Sequence, residues 1–500
     1  MDRLIGIETE YGIVVEGLGA NDWIAESINV VRSCPVASVG GWNYRGEDPR
    51  RDMRGFTVAQ LSTNPDDAQF DPPGTPVRSR EEERSDRILV NGARFYNDHG
   101  HPEYATPECR SLRDLIAQDR AGERIVFAAA QKHAEKCGRA VSIYKNNTDF
   151  HGASYGTHEG YLMQRDVPIE ALIQGLLPFF ATRQIYAGAG KVGTENESTA
   201  RHVPYQISQR ADFFSVEASV DTLHNRPLVN TRDEPHATPR RFRRLHVICG
   251  DANMSEYANA LKVGTTALVL RLLEARLRPP VQLAKPIEAV KQVSRDLTLK
   301  KTLECQSRPA MTAIEIQWLY QQEVAKRFSG QNEETDWVIQ EWATVLEALQ
   351  TDPFSLSDRL DWVAKHQLLN DFREAEGLDW KDPYLQSLDL AYHDVDPEQG
   401  LYYGLEQAGA MRRIVTEAHI LASMSCPPSD TRAFLRGQFV EKFPKAIRSI
   451  GWNGVAFQHQ GADYIFDMNP LVEENVTLLN EEMASADSLE AVIRVIERPA

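Results

Sequence analysis

Two carboxylates, Glu8 and Glu10, stand at alternate positions in the apolar run Leu4-Ile5-Gly6-Ile7-Glu8-Thr9-Glu10-Tyr11-Gly12-Ile13-Val14. Side chains of a strand alternate between its faces. The run read as a strand therefore puts Ile5, Ile7, Tyr11 and Ile13 on one side and both acids on the other. Neighbouring acids repel, and a partly buried pair is costly unless a cation lies over it. Mg²⁺, which takes carboxylate oxygens and keeps room for phosphate, answers that need. An edge strand with its acidic face in water is the competing reading. Two more segments bear on the choice. Ile88 to Asp98 also reads as a strand, with Arg94, Tyr96 and Asp98 on one face, and Arg243 to Cys249 sets Arg244 and His246 opposite Leu245, Val247 and Cys249. Three strands with apolar backs and chemically active fronts imply one sheet whose concave side is a site.

A chain of 500 residues can bury a large core and suggests more than one domain. Its formal net charge of -17 argues against a general nucleic-acid binder, which would carry a basic stripe, but leaves room for a local phosphate pocket. No membrane span is expected. The longest apolar stretch, Tyr257 to Leu277, carries Lys262, Arg271, Glu274 and Arg276 and reads as a buried amphipathic helix. Six scattered cysteines without metal-type pairing, and no secretory pattern at the start, imply a reducing, cytoplasmic setting.

Periodicity predicts helices over 22–32, 111–137, 169–185, 255–278, 313–326, 335–350 and 355–372, and strands at 140–144 and 154–163. Early strands and later helices fit an α+β architecture in which an antiparallel sheet carries helices on one face. Between the first helix and the strand at Ile88 lies a polar insertion covering residues 38–87. Its first half, Trp42 to Phe56, is charged with aromatics at both ends and reads as a lid that docks intermittently. The second half, through Pro72-Pro73-Gly74 and Pro76, has linker composition and is expected to be disordered. The mixed-sign run Arg78 to Arg87 is expected to be solvated. Cys426-Pro427-Pro428 breaks the chain, so residues 1–425 are expected to form a catalytic domain and 426–500 a small C-terminal domain, with strand-like Val455 to Gln458 and Ala462 to Met468. Gly188 to Thr194 imitates a phosphate loop but lacks its spacing and the Ser/Thr after Lys191, so a turn after a helix is expected there.

Asp98 is the strongest single candidate for chemistry. A carboxylate with its ordinary pKa of about 4 is a weak general base at neutral pH. A metal or arginine beside it lowers that value further and keeps it ionised as an oxygen nucleophile. A strand-end Asp capping the next turn is the plainer alternative. Glu8, Tyr96 and Glu103 are candidates for a first metal shell; His158 and His246 are candidates for a second ion, its other ligands being Glu10 or phosphate oxygens. Arg94, Arg210, Arg232 and Arg244 are candidate phosphate contacts, because guanidinium matches phosphate bidentately. For Arg210 and Arg232 a surface salt bridge is the competing reading. His236, in the turn after Arg232, is a further candidate.

Six segments occur in order: Gly6 to Gly12, Asn91-Gly92-Ala93-Arg94, His101-Pro102-Glu103-Tyr104, Tyr144-Lys145-Asn146-Asn147, Asn230 to Ala237, and Arg243 to Ile248. Together they resemble one family, the enzymes that deamidate or ligate the small modifier Pup (Dop and PafA), related to glutamine synthetase and other carboxylate-amine ligases. The resemblance implies a glutamine synthetase-like antiparallel sheet cradle with packed helices and a small C-terminal domain. It implies ATP (or ADP plus phosphate) and Mg²⁺ at the sheet, with Pup and pupylated proteins as partners. Nucleic acid and membrane are not expected partners, and the oligomeric state stays open, a monomer being admissible. By position, Glu8, Tyr96 and Glu103 resemble Mg²⁺ ligands, with His158 and His246 completing the metal region, and Asp98 resembles the catalytic aspartate. Arg94, Thr106, Arg244 and Trp452 resemble nucleotide contacts.

Three features resemble the deamidase side of that family: the insertion Trp42 to Phe56, the short spacing from Asp98 to Glu103, and the run Pro427 to Ala433. The implied activity is an ATP/Mg-dependent amidohydrolase that deamidates the C-terminal Gln of Pup and cleaves the Pup–lysine isopeptide. A Pup–protein ligase and a non-catalytic Pup-binding protein are the alternatives. One position departs from the family pattern: Gly160 follows His158-Glu159 where the family carries Asn, which leaves the local nucleotide geometry open.

Overall fold

The computed structural model describes residues 3–18, 23–62, 79–150, 152–195, 203–277 and 279–497. The opening run is not a single strand. It breaks at Tyr11 into β1 (Ile5–Glu10) and β2 (Gly12–Val15), which pair with different neighbours. After α1 (Trp23–Arg32) and the short β3 (Ser38–Val39), the second predicted strand is a hairpin of β4 (Arg87–Leu89) and β5 (Arg94–Asp98) around Asn91-Gly92. Gly92 has φ +79, and a Cβ there would lie 2.7 Å from the Ala433 carbonyl oxygen, so both conformation and space require glycine.

Next come β6 (His101–Ala105), the long α3 (Leu112–Cys137), β7 (Val141–Tyr144) and β8 (Thr157–Gln164). Two small ribbons follow, β9 (Lys191–Val192) with β10 (Tyr205–Gln206) and β11 (Phe214–Ser219) with β12 (Arg226–Asn230), and then β13 (Phe242–Gly250). Seven strands form one antiparallel sheet in the order β13-β8-β1-β6-β5-β4-β3, and β2 pairs with β7 outside it. This is the expected α+β architecture.

Register decides which side chains meet. Glu8 lies opposite Ala105 on one side and His158 on the other, Glu10 opposite Glu103, Tyr96 opposite Glu103, and His246 opposite Gly160. All these candidate site residues therefore share one face. The other face is the core. Ile5, Ile7, Tyr161, Met163, Leu245 and Val247 pack on the helices Ile169–Ala187 and Glu256–Glu274 and on the start of α3, while Phe95 and Tyr104 pack on α1 and α3. Each such side chain contributes roughly 1.5–3 kcal/mol on burial, which pins the register and thereby the site.

The predicted helices are present with ends displaced by a few residues, Asp22 and Arg278 lying outside the described residues. One differs more: Pro353–Leu356 is a 3₁₀ turn, begun by Pro353 behind the capping Asp352, and the α-helix starts only at Asp361. The run Arg78 to Arg87 is not simply solvated. Ser79 and Glu82 form a capping box that starts α2 (Arg80–Arg84), and Ser85 and Asp86 are buried. The first half of the insertion is docked: Met53 N–H donates to the Thr231 carbonyl (2.8 Å), and Asp233 N–H donates to the Arg51 carbonyl (2.9 Å). The expected disorder of the second half concerns residues 63–78, which lie outside the described residues. After residue 425 a helix, Arg432–Lys442, and a three-stranded sheet enclose their own apolar cluster, to which Trp42 and Ile88 also belong. The C-terminal unit therefore grips the insertion and β4. Among the described residues no helix is long and apolar enough to cross a membrane.

Candidate active site

Two groups of metal-compatible side chains lie side by side on the open face of the sheet: Glu8, His158 and His246, and Glu10, Asp98 and Glu103. This grouping differs from the expected one, which joined Glu8 to Tyr96 and Glu103 and placed Glu10 with the histidines. Cross-strand register sets the new partition, because β8 and β13 present their histidines beside Glu8, whereas β6 presents Glu103 beside Glu10. The Tyr96 hydroxyl donates to Glu103 Oε1 at 2.5 Å and so positions that carboxyl.

The electrostatics mark the floor as short of positive charge. Burial, with Asp98, Glu10 and Glu8 close by, pushes the Glu103 carboxyl well above its usual range. Burial acts in the same direction on Glu8, but Arg244 and the ring nitrogens of His158 and His246 outweigh it and hold Glu8 well below. His246, buried and facing Arg244, is depressed to about 3. Among the described residues neither of its ring nitrogens has a hydrogen-bond partner, Nε2 standing 3.6 Å from Glu8 Oε2. Buried polar atoms are normally paired. Orphaned imidazole nitrogens and a protonation-prone Glu103 among acids are what a divalent cation would satisfy, and the oxygen-rich second group suits Mg²⁺.

Beside Glu8 an open cleft runs between the sheet and the C-terminal unit. Gly6, Thr106, Gly160, Leu162, Arg244, Pro235, His236, Arg432, Val472 and Trp452 are among its lining residues. Arg244 donates to Glu8 Oε1 at 3.1 Å, and Thr106 Oγ1 accepts from Ile7 N–H at 3.0 Å. A Cβ on Gly160 would make only ordinary contact, 3.6 Å from Arg244 Cδ, so the missing Asn side chain leaves the arginine in place and the floor open. One apolar wall and one cationic rim adjoining carboxylates suit a base at one end and phosphates at the other.

Asp98 stands at the far edge of the carboxylate group. Burial alone would raise its pKa, but His99 and Arg84 hold it far below the usual carboxylate range. His99 Nδ1 lies 2.5 Å from Asp98 Oδ1, and Arg84 pairs with the same oxygen. Arg94 is already engaged: its guanidinium meets Asp86 at 2.7 Å and Glu47 at 3.4 Å, between the rings of Trp42 and Tyr96. Arg210 and Arg232 are not surface ion pairs. Arg210 is fully buried and donates to the Ile248 carbonyl at 2.5 Å; half-buried Arg232 donates to the Val220 carbonyl and Thr222 Oγ1, both at 2.9 Å. Sequence reasoning missed Arg84, His99 and the triad in which Glu108 receives Arg432 Nε at 2.7 Å and an Arg436 amine at 2.5 Å. For Arg84 a signal existed in the Ser79…Glu82 capping box, which predicts an ordered helix in an otherwise featureless charge run.

A family model described as Pup-ligase protein matches residues 3–456. The chain belongs to this family. Within the Pup-ligase family, the depupylase of Acidothermus cellulolyticus is 43% identical over 475 residues, spanning 93% of this chain and 92% of that relative. The Pup deamidase/depupylase of Mycolicibacterium smegmatis is 39% identical over 508 residues, spanning 100% and 99%. Among solved structures, the Pup ligase PafA in complex with ADP superposes with a TM-score of 0.72 at 35% identity, covering 80% of this chain and 91% of that one.

Proposed function

We propose that this protein is an amidohydrolase acting on Pup, which deamidates a C-terminal Gln and cleaves the isopeptide between Pup and a substrate lysine. The observation that carries the reading is the placement of an ionised, cation-flanked Asp98 against the Glu10–Glu103 group, on the same sheet face as Glu8, which lines the cleft. Relatives named for these activities match over nearly the whole chain, which supports it further.

Glu8, His158 and His246 would hold one Mg²⁺, and Glu10 and Glu103 would hold another. Arg244, Thr106 and Trp452 line the cleft where ATP, or ADP with phosphate, would lie. Bound metal would neutralise the acids and stabilise negative charge developing on the substrate carbonyl oxygen. The remaining work falls to side chains. Tyr96 orients Glu103, Arg244 holds Glu8, and Asp98 addresses the terminal side-chain carbonyl of Pup, by direct attack or by orienting water against it. Ammonia or the lysine amine then departs, and water supplies the oxygen of the new carboxylate. The nucleotide would serve as a cofactor and not be consumed at each turnover. A cytoplasmic setting belongs to this reading, supported by six cysteines that are all unpaired.

The test is Asp98→Asn assayed with Pup ending in Gln and with a pupylated protein. Ammonia and free protein should no longer form while ATP binding persists; a variant with normal turnover would sink the assignment. Steady ADP formation dependent on both Pup and an acceptor protein would favour the ligase reaction instead.

A further inference from the structure

Arg84 sits where an ordinary surface arginine would not. The helix that carries it, α2, is five residues long and buries no side chain of its own. Polar contacts hold it in place. Arg80 meets Glu47 at 2.6 Å and covers the Tyr44 ring at 4.2 Å, and Asn97 Nδ2 donates to the Glu83 carbonyl at 3.1 Å. Arg32 reaches Ser85 Oγ at 3.1 Å. The product of this scaffold is one inward contact: the Arg84 guanidinium pairs with Asp98 Oδ1 and lies 5.6 Å from the centroid of the Tyr96 ring. Both partners are largely shielded, their side chains 23% and 19% exposed. Asp98 needs such a partner, because Glu10 and Glu103 crowd it from the other side.

We propose that Arg84 is a positioning residue for the reaction: it fixes the Asp98 carboxylate against two neighbouring acids and aims it at the reacting carbonyl. Its nearest approach and that of His99 are to the same oxygen, Oδ1. A guanidinium suits the task better than an ammonium, since its planar fork fixes the rotation of a carboxylate as well as its charge. The inference rests on Asp98 being the group that addresses the substrate.

The experiment measures isopeptide cleavage by the full-length protein with Mg²⁺ and ATP, comparing wild type with Arg84→Met and Arg84→Lys. For Met, kcat should fall on the order of 10- to 100-fold, as for other outer partners of a reacting group. KM for the Pup conjugate and ATP affinity should not change, and Lys should restore part of kcat. Arg84 pairs with a shielded carboxylate, so the Met variant should melt below the wild type, and kcat is read well below both melting temperatures, where each variant is folded. Full kcat in the Met variant overturns the proposal. So does a loss confined to KM or ATP affinity, or a folded Lys variant no better than Met. If wild type cleaves nothing, or Asp98→Asn cleaves normally, the reading of Asp98 fails instead. An active wild type, a silent Asp98→Asn and a normal Arg84→Met overturn the role of Arg84 alone.

Discussion

Replacing Glu108 by Gln should loosen the C-terminal unit from the sheet. Among the described residues Glu108 is the carboxylate within ion-pair distance of Arg432 and Arg436, two arginines that are 3% and 0% exposed. Burial alone would raise the Glu108 carboxyl, but the two arginines outweigh it and hold the group at about 2 against an ordinary value of 4.5. At about 1.4 kcal/mol for each tenfold change, the difference corresponds to about 3 kcal/mol of folding stability. Removing one member of a buried ion pair costs a similar 3–5 kcal/mol or so in other proteins.

The sign follows from the depressed value. The contribution is complete above pH 4.5 and is lost as pH falls toward 2, with about half of it gone at pH 3. Gln stands in for the protonated acid, so wild type and variant should differ fully at pH 7 and converge in acid. Trp452 stacks on Arg436 at 4.7 Å, so its fluorescence during urea titration reports on this seam. A Gln variant with the wild-type midpoint at pH 7, or a gap that does not narrow in acid, would refute the reasoning.

Trp42→Ala should cost roughly 3–5 kcal/mol, as for large aromatic truncations in cores. It removes a 6% exposed ring packed on Trp452 and Arg94, and should also release the insertion, seen as faster proteolytic nicking between Trp42 and Ser79. Unaltered nicking would mean that the ring does not hold the insertion down. Removing divalent metal with a chelator should abolish Pup cleavage and weaken ATP binding, and Mg²⁺ should restore both. Undiminished cleavage in metal-free buffer would mean that the two carboxylate groups serve another purpose.

The alternation in three short segments was enough to place Glu8, Arg94, Tyr96, Asp98, Arg244 and His246 on one face, because a strand's period follows from backbone geometry alone. What alternation could not give was where a strand changes partner. The break at Tyr11 leaves the apolar pattern undisturbed, and its mark is Gly12, where a Cβ would stand 2.7 Å from the Tyr155 hydroxyl. Nor could it divide the candidate ligands, since pairing Glu8 with His158 and His246 depends on registers between residues 150 and 238 positions apart in sequence. The grip of Glu108 on Arg432 and Arg436 joins residues more than 300 positions apart. Arg84 was lost for the opposite reason: a local capping signal was present, but alternating charges look alike whether they face water or an active site.

The two faces of the sheet have a bearing on how such a protein can change over time. Ile5, Ile7, Tyr161 and Leu245 belong to the core, while Glu8, His158, Arg244 and Asp98 belong to the candidate site, and the strands carry the two sets on opposite faces. A change at the front leaves the back, and with it the register, untouched. The scaffold is thus free to explore new reactions without relearning how to fold. A single family that includes proteins named for joining Pup and for removing it is what such freedom would produce.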